Sequence, residues 1–440
     1  MVMRMPLAAA AAWLAVLTAP LPGAKPKGDA PMPLSPQAID ARIQKHRTAE
    51  VVLTITGPDG KPRAGREVTV RQVRHKFLFG CNAFGIAPAD KTPAQLAYQK
   101  RYAELLNYAT LPFYWGAYEG ELGKPQADRL RAMAQWCRDR GIRAKGHPLC
   151  WHQVVPKWAY DKSLDELGRL QVGRVGREVK GFAGLIDTWD VVNEAVIMPT
   201  FQADKNPVTK LCNQLGRVEL LKRTFDAARK ANAKATLLLN DYETSEAYAK
   251  LIAECLAAGV PIDVVGIQSH MHGGYRGATW AWETCERFAK FGKPLHFTEL
   301  TIQSGEVKKD IRWNGPYYDD WHSTPDAEKR QAQQVAEFYT VLFSHPAVEG
   351  ITWWDFSDDR AWLGAPSGLV RKDMSPKPAY EELIKLVKGK WWTGERKLTT
   401  DSAGCVRFRG YLGDYEVIAG EAKAAVRVDT AGKADATAKL

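Results

Sequence analysis

Between residues 76 and 354 the chain repeats one arrangement eight times: a short apolar run, then a stretch suited to a helix. The runs fall at 76–80, 108–111, 142–146, 186–192, 236–240, 264–268, 294–298 and 350–354. Helical periodicity is clearest at 126–140, 216–231, 247–258 and 326–343. Short runs of this kind suit strands covered on both faces, as a parallel sheet with helical crossovers requires. Eight such units predict an α/β fold, a closed (β/α)8 TIM barrel. An open doubly wound sheet is the competing architecture, but no glycine-rich phosphate loop follows the first run.

The flanks read differently. Arg4, an apolar Ala-rich run over 6–18 and a small-residue exit up to Ala24 predict a signal peptide at 1–24. The mature protein is therefore expected outside the cytoplasm: secreted, periplasmic or at the cell envelope. That run is too short for a membrane span, and no later stretch approaches one. Residues 25–48 read as a linker and short helix, and 49–75 as a small antiparallel β unit around Pro58-Asp59-Gly60. The catalytic barrel is expected over 76–390 and a small β module over 391–440.

Composition excludes several functions. The net charge of +11 is spread along the chain, which argues for a solvated basic surface rather than a nucleic-acid site. Seven cysteines stand singly without a CxxC pair, against a zinc site or a disulfide scaffold. Neither metal nor other cofactor is expected, and the chain is read as a monomer. Fifteen tryptophans suit both a core and a sugar-stacking cleft.

In such a barrel the chemistry sits at the C-terminal strand ends. The polar residues there are His147, Trp151 and His152; Asn193 and Glu194; Asn240 and Asp241; Gln268, His270 and His272; Glu299; and Trp354, with Asp358 and Trp362 in its loop. Asn193-Glu194 in isolation also fits a helix start with Asn193 as cap, and His147 also fits a satisfied core histidine. Asp190, inside its strand, reads as a structural hydrogen-bonding residue. Two carboxylates from different strands suit glycoside cleavage, one giving a proton to the leaving oxygen and the other attacking carbon or activating water. His270 and His272, two residues apart on a strand, raise a zinc alternative that lacks a clear third ligand.

These stretches together resemble glycoside hydrolase family 10, whose typical member is an endo-1,4-β-xylanase, over about residues 75–388. The most specific piece is Trp189-Asp190-Val191-Val192-Asn193-Glu194-Ala195, followed by Phe297-Thr298-Glu299-Leu300. Support comes from Gly146-His147-Pro148-Leu149-Cys150-Trp151-His152, Asn240-Asp241-Tyr242, Gln268-Ser269-His270 and Ile351-Thr352-Trp353-Trp354. The resemblance implies Glu194 as acid/base and Glu299 as nucleophile of a retaining reaction on xylan. It implies substrate binding by His147, Trp151, Asn193, Asn240, Gln268, His270, Trp354 and Trp362. Retention requires the two carboxyls to lie about 5–5.5 Å apart. The alternatives are a retaining β-glycosidase for another polysaccharide and a non-catalytic carbohydrate-binding barrel. Two positions depart from the family pattern. The stretch 111–119 is aromatic where the family carries a Glu-Asn plus Lys segment, with Pro112, Phe113 and Gly116 among the changed residues. Thr301 stands where an Asp is usual.

Overall fold

The computed structural model describes residues 33–309, 311–313, 315 and 317–440. The predicted signal peptide lies outside them. After a helix at Pro36–Arg47, strands β1 (Thr48–Thr56) and β2 (Glu67–His75) lead into the barrel. Its strands are β3 (Leu78–Asn82), β4 (Tyr108–Pro112), β5 (Arg143–His147), β6 (Ile186–Asn193), β7 (Thr236–Asp241), β8 (Val264–Met271), β9 (Leu295–Ile302) and β10 (Val348–Trp353). They pair in parallel in chain order, and β10 closes the ring against β3. The fold is the expected (β/α)8 barrel.

Helices start where capping chemistry allows. Ser163 accepts from the Glu166 amide (3.2 Å) ahead of Leu164–Gly181, and Thr324 accepts from the Ala327 amide (3.3 Å) ahead of Pro325–Ser344. The inside of the barrel is polar for a core. Buried Tyr108, Lys145, Asp190 and His296 sit among the barrel strands, below the catalytic mouth.

The terminal segments, expected as separate units, share sheets. The C-terminal strands are β11 (Arg396–Thr399), β12 (Cys405–Tyr411), β13 (Gly413–Ala419), β14 (Ala422–Val428) and β15 (Gly432–Lys439). One sheet runs β12-β1-β15 and the other β11-β2-β13-β14, so β1 and β2 do not pair with each other as a hairpin. The reason is apolar. Val51, Leu53 and Ile55, with Phe408 beside them on β12, share one buried cluster with Val68, Val70, Tyr415 and Val417 of the other sheet, which a two-stranded hairpin cannot enclose. Strand β15 was not expected, because Gly432–Lys439 is small and polar; it adds in parallel to β1 at the sheet edge.

Candidate active site

Glu194 follows directly on β6. Its backbone is left-handed (φ +55°), a conformation that costs a non-glycine residue of the order of 1 kcal/mol and is held here by its amide donating to Asn240 O (2.8 Å). The carboxylate is almost fully buried. Oε2 accepts from the Trp151 indole (2.9 Å), and Oε1 from Asn193 (3.3 Å) and Gln268 (3.2 Å). Burial pushes its pKa above the ordinary carboxylate value, and the charge of Glu299 adds to that. The Trp151 and Gln268 hydrogen bonds oppose the rise without cancelling it.

Glu299 stands on β9 with the opposite balance. Burial is the largest single influence and works upward, but His147, His270 and Lys145 outweigh it and the pKa ends below the ordinary value. Its Oε1 accepts from Asn240 Nδ2 (2.8 Å) and lies 3.9 Å from His147 Nε2; its Oε2 accepts from His270 Nε2 (3.1 Å). Behind His147 runs a sealed relay. His147 Nδ1 donates to Asp190 Oδ2 (2.7 Å), which also pairs with Lys145 Nζ at 2.6 Å. Asp190 and Lys145 have no solvent exposure. Burial works to raise the Asp190 pKa, but Lys145 and His147 pull it below the ordinary value.

A cleft of about 1140 Å³ opens over these groups. Its lining includes His147, Trp151, Asn193, Glu194, Gln268, His270, Glu299, Trp354 and Trp362, so nine of the ten expected site residues meet there. Asn240 is the exception. It is fully buried beneath the mouth, where its amide donates to both Asn193 Oδ1 (2.7 Å) and Glu299 Oε1, and it accepts from Thr298 (2.5 Å). It positions other side chains instead of facing a ligand. Trp354 packs edge-on to His147 (5.5 Å) and His270 (5.8 Å), and Trp362 lies 4.7 Å from His270 between ring centroids.

Lys145 and Asp355 escape the sequence reading, and Asp241, His272 and Thr301 appear in it without a settled role. Lys145, a cation in the middle of an apolar run, is a legible signal of a buried counter-ion. Asp241 accepts from the Val196 (2.9 Å) and Glu243 (3.0 Å) amides, and burial raises its pKa to about 7. Asp355 accepts from Ser367 (2.7 Å) and the Trp362 amide (3.1 Å), which fixes the Trp362 turn; burial raises its pKa to about 6. His272 does not face the cleft. It is buried against Trp313, Trp321 and Trp362, with Nδ1 3.3 Å from the Thr301 hydroxyl. Thr301 in turn accepts from the Met271 amide (3.0 Å) and lies 3.5 Å from His270 Nδ1.

Two buried carboxyls at a barrel mouth, one raised and one lowered, under a tryptophan-walled cleft, are the site of a glycoside-cleaving class of barrel. Residues 84–386 match the family model described as Glycosyl hydrolase family 10, more than half of the chain, and the protein belongs to that family. It is 31% identical over 296 residues to Endo-1,4-beta-xylanase A of Caldicellulosiruptor sp., covering 61% of this chain and 40% of that protein. It is 29% identical over 270 residues to Beta-1,4-xylanase of Dictyoglomus thermophilum, covering 58% and 73%. The chain thus spans less than half of the first relative's length and about three quarters of the second's. In fold it superposes on xylanase 10B of Thermotoga maritima with a TM-score of 0.60, at 24% identity, over 72% of this chain and 96% of that one.

Proposed function

We propose that the protein hydrolyses β-1,4-xylosidic bonds of xylan with retention of anomeric configuration, and that it does so after export. The observation that carries this is the opposed tuning of the two buried carboxyls. Glu299, ionised, attacks the anomeric carbon and forms a glycosyl-enzyme. Glu194, protonated because its surroundings raise its pKa, gives its proton to the leaving oxygen. Glu194 then takes a proton from water, which attacks the same carbon and releases the sugar from Glu299. His270 and Asn240 hold the nucleophile in line, and Trp151 orients the acid. Trp354 and Trp362 supply faces for sugar stacking. The relatives' names, which are those of xylanases, direct the choice of sugar.

The test is release of reducing ends from purified xylan, with proton NMR of the first-formed anomer, beside a panel of aryl glycosides and other polysaccharides. Retained β-product from xylan, abolished in Glu299→Ala with the fold intact, supports the proposal. Cleavage of another polysaccharide in its place would redirect the substrate, and full activity of the Glu299→Ala protein would remove the mechanism.

A further inference from the structure

Tyr114 is an aromatic wall of the cleft that the mechanism above leaves idle, and the chain goes to some length to hold it. It follows β4 and lies among the residues that surround Glu299. Its ring meets His147 edge-on (5.5 Å, 88°), Phe84 edge-on (5.8 Å, 88°) and Trp151 at a tilt (5.5 Å, 44°). Trp354 meets His147 and Phe84 in the same edge-on manner, at 5.5 Å for each. Tyr114 and Trp354 therefore form two sides of a box whose other sides are His147 and Phe84, and His147 Nε2 stands 3.9 Å from Glu299 Oε1. The Tyr114 side chain is partly exposed, and the space it is exposed to is the cleft. Among the described residues its hydroxyl has no hydrogen-bond partner, although most polar groups around it are paired.

The backbone that carries Tyr114 is locked on both sides. The Phe113 amide donates to His147 O (2.6 Å), and the Gly116 amide to Val154 O (2.6 Å). A side chain at Gly116 would place its Cβ 2.7 Å from that same carbonyl, so the close approach needs glycine. The buried Arg174 guanidinium donates to the carbonyls of Phe113 and Leu149. Glu119, paired with Arg177 (2.7 Å), accepts from the Trp115 indole (3.1 Å), and Tyr118 donates to Glu178 (2.5 Å). A hydroxyl left unpaired on a segment held this firmly is preorganised for something that arrives from the cleft. Burial, joined by the nearby anions Glu299 and Glu194, keeps the phenol protonated at every working pH, so it acts as a donor and not as a base.

We infer that the Tyr114 hydroxyl donates a hydrogen bond to the sugar unit held against Glu299, making Tyr114 a substrate-binding and specificity-determining residue of the cleavage subsite. The ligand is a pyranose with an accepting ring hydroxyl, and the ring of Tyr114 is the wall opposite Trp354. This rests on the hydrolytic reading above for the choice of sugar, and on geometry for the contact.

The experiment is Tyr114→Phe, which keeps the ring and its packing and removes only the donor. Its circular dichroism and Tm should match the parent. Calorimetry with xylotriose, on Glu299→Ala with and without Tyr114→Phe, should show affinity falling about tenfold, the size of one lost hydrogen bond. kcat/KM for an aryl β-xyloside, measured without the Glu299 change, should fall by a similar factor. With 2-, 3- and 4-deoxy aryl xylosides, one analogue should erase the difference between Tyr114→Phe and wild type, and that analogue names the partner hydroxyl. Equal xylotriose affinity, or a gap that persists against all three deoxy sugars, overturns the inference. Tyr114-dependent xylotriose binding without turnover of any glycoside would remove the hydrolytic reading and leave this one standing. A protein that neither binds xylotriose nor cleaves xylosides ends both.

Discussion

Glu194 and Glu299 are the same kind of acid within one cleft, and they differ in what stands beside their oxygens. Glu194 has neutral donors, an indole and amides, so burial dominates; Glu299 has His147 and His270 and, behind them, Lys145. Removing the acid should therefore matter in proportion to how badly the leaving group needs a proton. Glu194→Gln is expected to lose about 10²–10⁴-fold on xylan but far less on an aryl xyloside with an acidic phenol, and to lose the alkaline limb of its pH profile. Equal losses on both substrates would count against Glu194 as the acid. Lys145 allows a second test at this scale. Lys145→Met leaves Asp190 buried and half-paired, at a cost of about 3–5 kcal/mol by chemical denaturation. It also withdraws a positive charge that holds the Glu299 pKa down. That pKa must rise, so activity should fail earlier as pH is lowered and the acid limb should move to higher pH. A loss of stability with an unmoved acid limb would assign Lys145 to the fold alone. Both glutamates were legible in the sequence because a carboxylate ending an apolar run is costly to bury and gains nothing there unless it faces a cleft. Asn240 was legible as polar but not as buried, since nothing in Leu237-Leu238-Leu239-Asn240 says which side of the mouth its amide faces.

Among strands, the aim of the site depends on two irregularities that no alternation pattern reveals. On β9, Leu295 and Phe297 belong to the apolar core, Phe297 against Phe338 of the Pro325–Ser344 helix. Strict alternation would point Glu299 the same way. The register against β8 instead jumps from Ile267↔Phe297 to Gln268↔Glu299, skipping Thr298, so Thr298 and Glu299 both turn toward the barrel interior and its mouth. On β6 the pairing with β7 skips Val191, which places Val191 and Val192 both in the apolar core and turns Asn193 inward. The eight-strand order was readable because each strand and helix has its own length and periodicity. The bulges were not, because they arise between strands. Packing between β5 and β6 sets a sharper limit. A Cβ on Gly146 would fall 2.2 Å from the Trp189 ring, and that ring is wedged against Phe113 (4.9 Å) and Phe182 (6.3 Å) with no exposure. Gly146→Ala is expected to destabilise by about 1–3 kcal/mol and, being next to His147, to lower kcat as well. Thermal unfolding with parallel kinetics measures both, and an unchanged Tm would mean that Trp189 has room to move.

In the whole molecule, the strands that precede the barrel and those that follow it meet beneath it. The junction is aromatic: Trp391 stacks on Phe79 (6.1 Å) and Phe343 (4.3 Å), and His75, donating to Val387 O (2.8 Å), meets Phe79 and Trp392 edge-on. Arg47 ties β1 to the barrel by donating to the carbonyls of Phe343 (2.7 Å), His345 (2.6 Å) and Val348 (2.7 Å). Burial holds His75 and His296 neutral with pKa values of about 3, and His152 with one of about 4. The unfolded chain protonates these rings near pH 6.5, so it binds more protons than the native state below that pH. Stability is lost as pH falls from about 6.5 toward 4. Glu194, Asp241, Asp355 and Asp358, with raised pKa values, work in the other direction over part of the range, while His272, likewise held neutral, and the lowered carboxyls of Glu299 and Asp190 add to the loss. Tm should therefore decline on acidification, and a flat Tm between pH 7 and 4.5 would contradict the buried neutral histidines. The shared sheets carry the stronger expectation. Ending the chain at Lys390 removes Val406, Phe408, Tyr415, Val417, Val426 and Val428 from the core they form with Val51, Leu53, Val68 and Val70. It also removes Trp391 from the barrel floor. At about 1.5–3 kcal/mol for each fully buried apolar side chain, this loss is as large as the ~5–15 kcal/mol by which a folded protein is ordinarily stable. The shortened protein should leave β1 and β2 unpaired, expose the aromatic floor and aggregate, though every cleft residue is still present. Soluble yield and Tm of the 33–390 protein beside 33–440 measure this; an equally soluble, equally stable 33–390 barrel would show that the terminal sheets are an ornament to a fold complete without them.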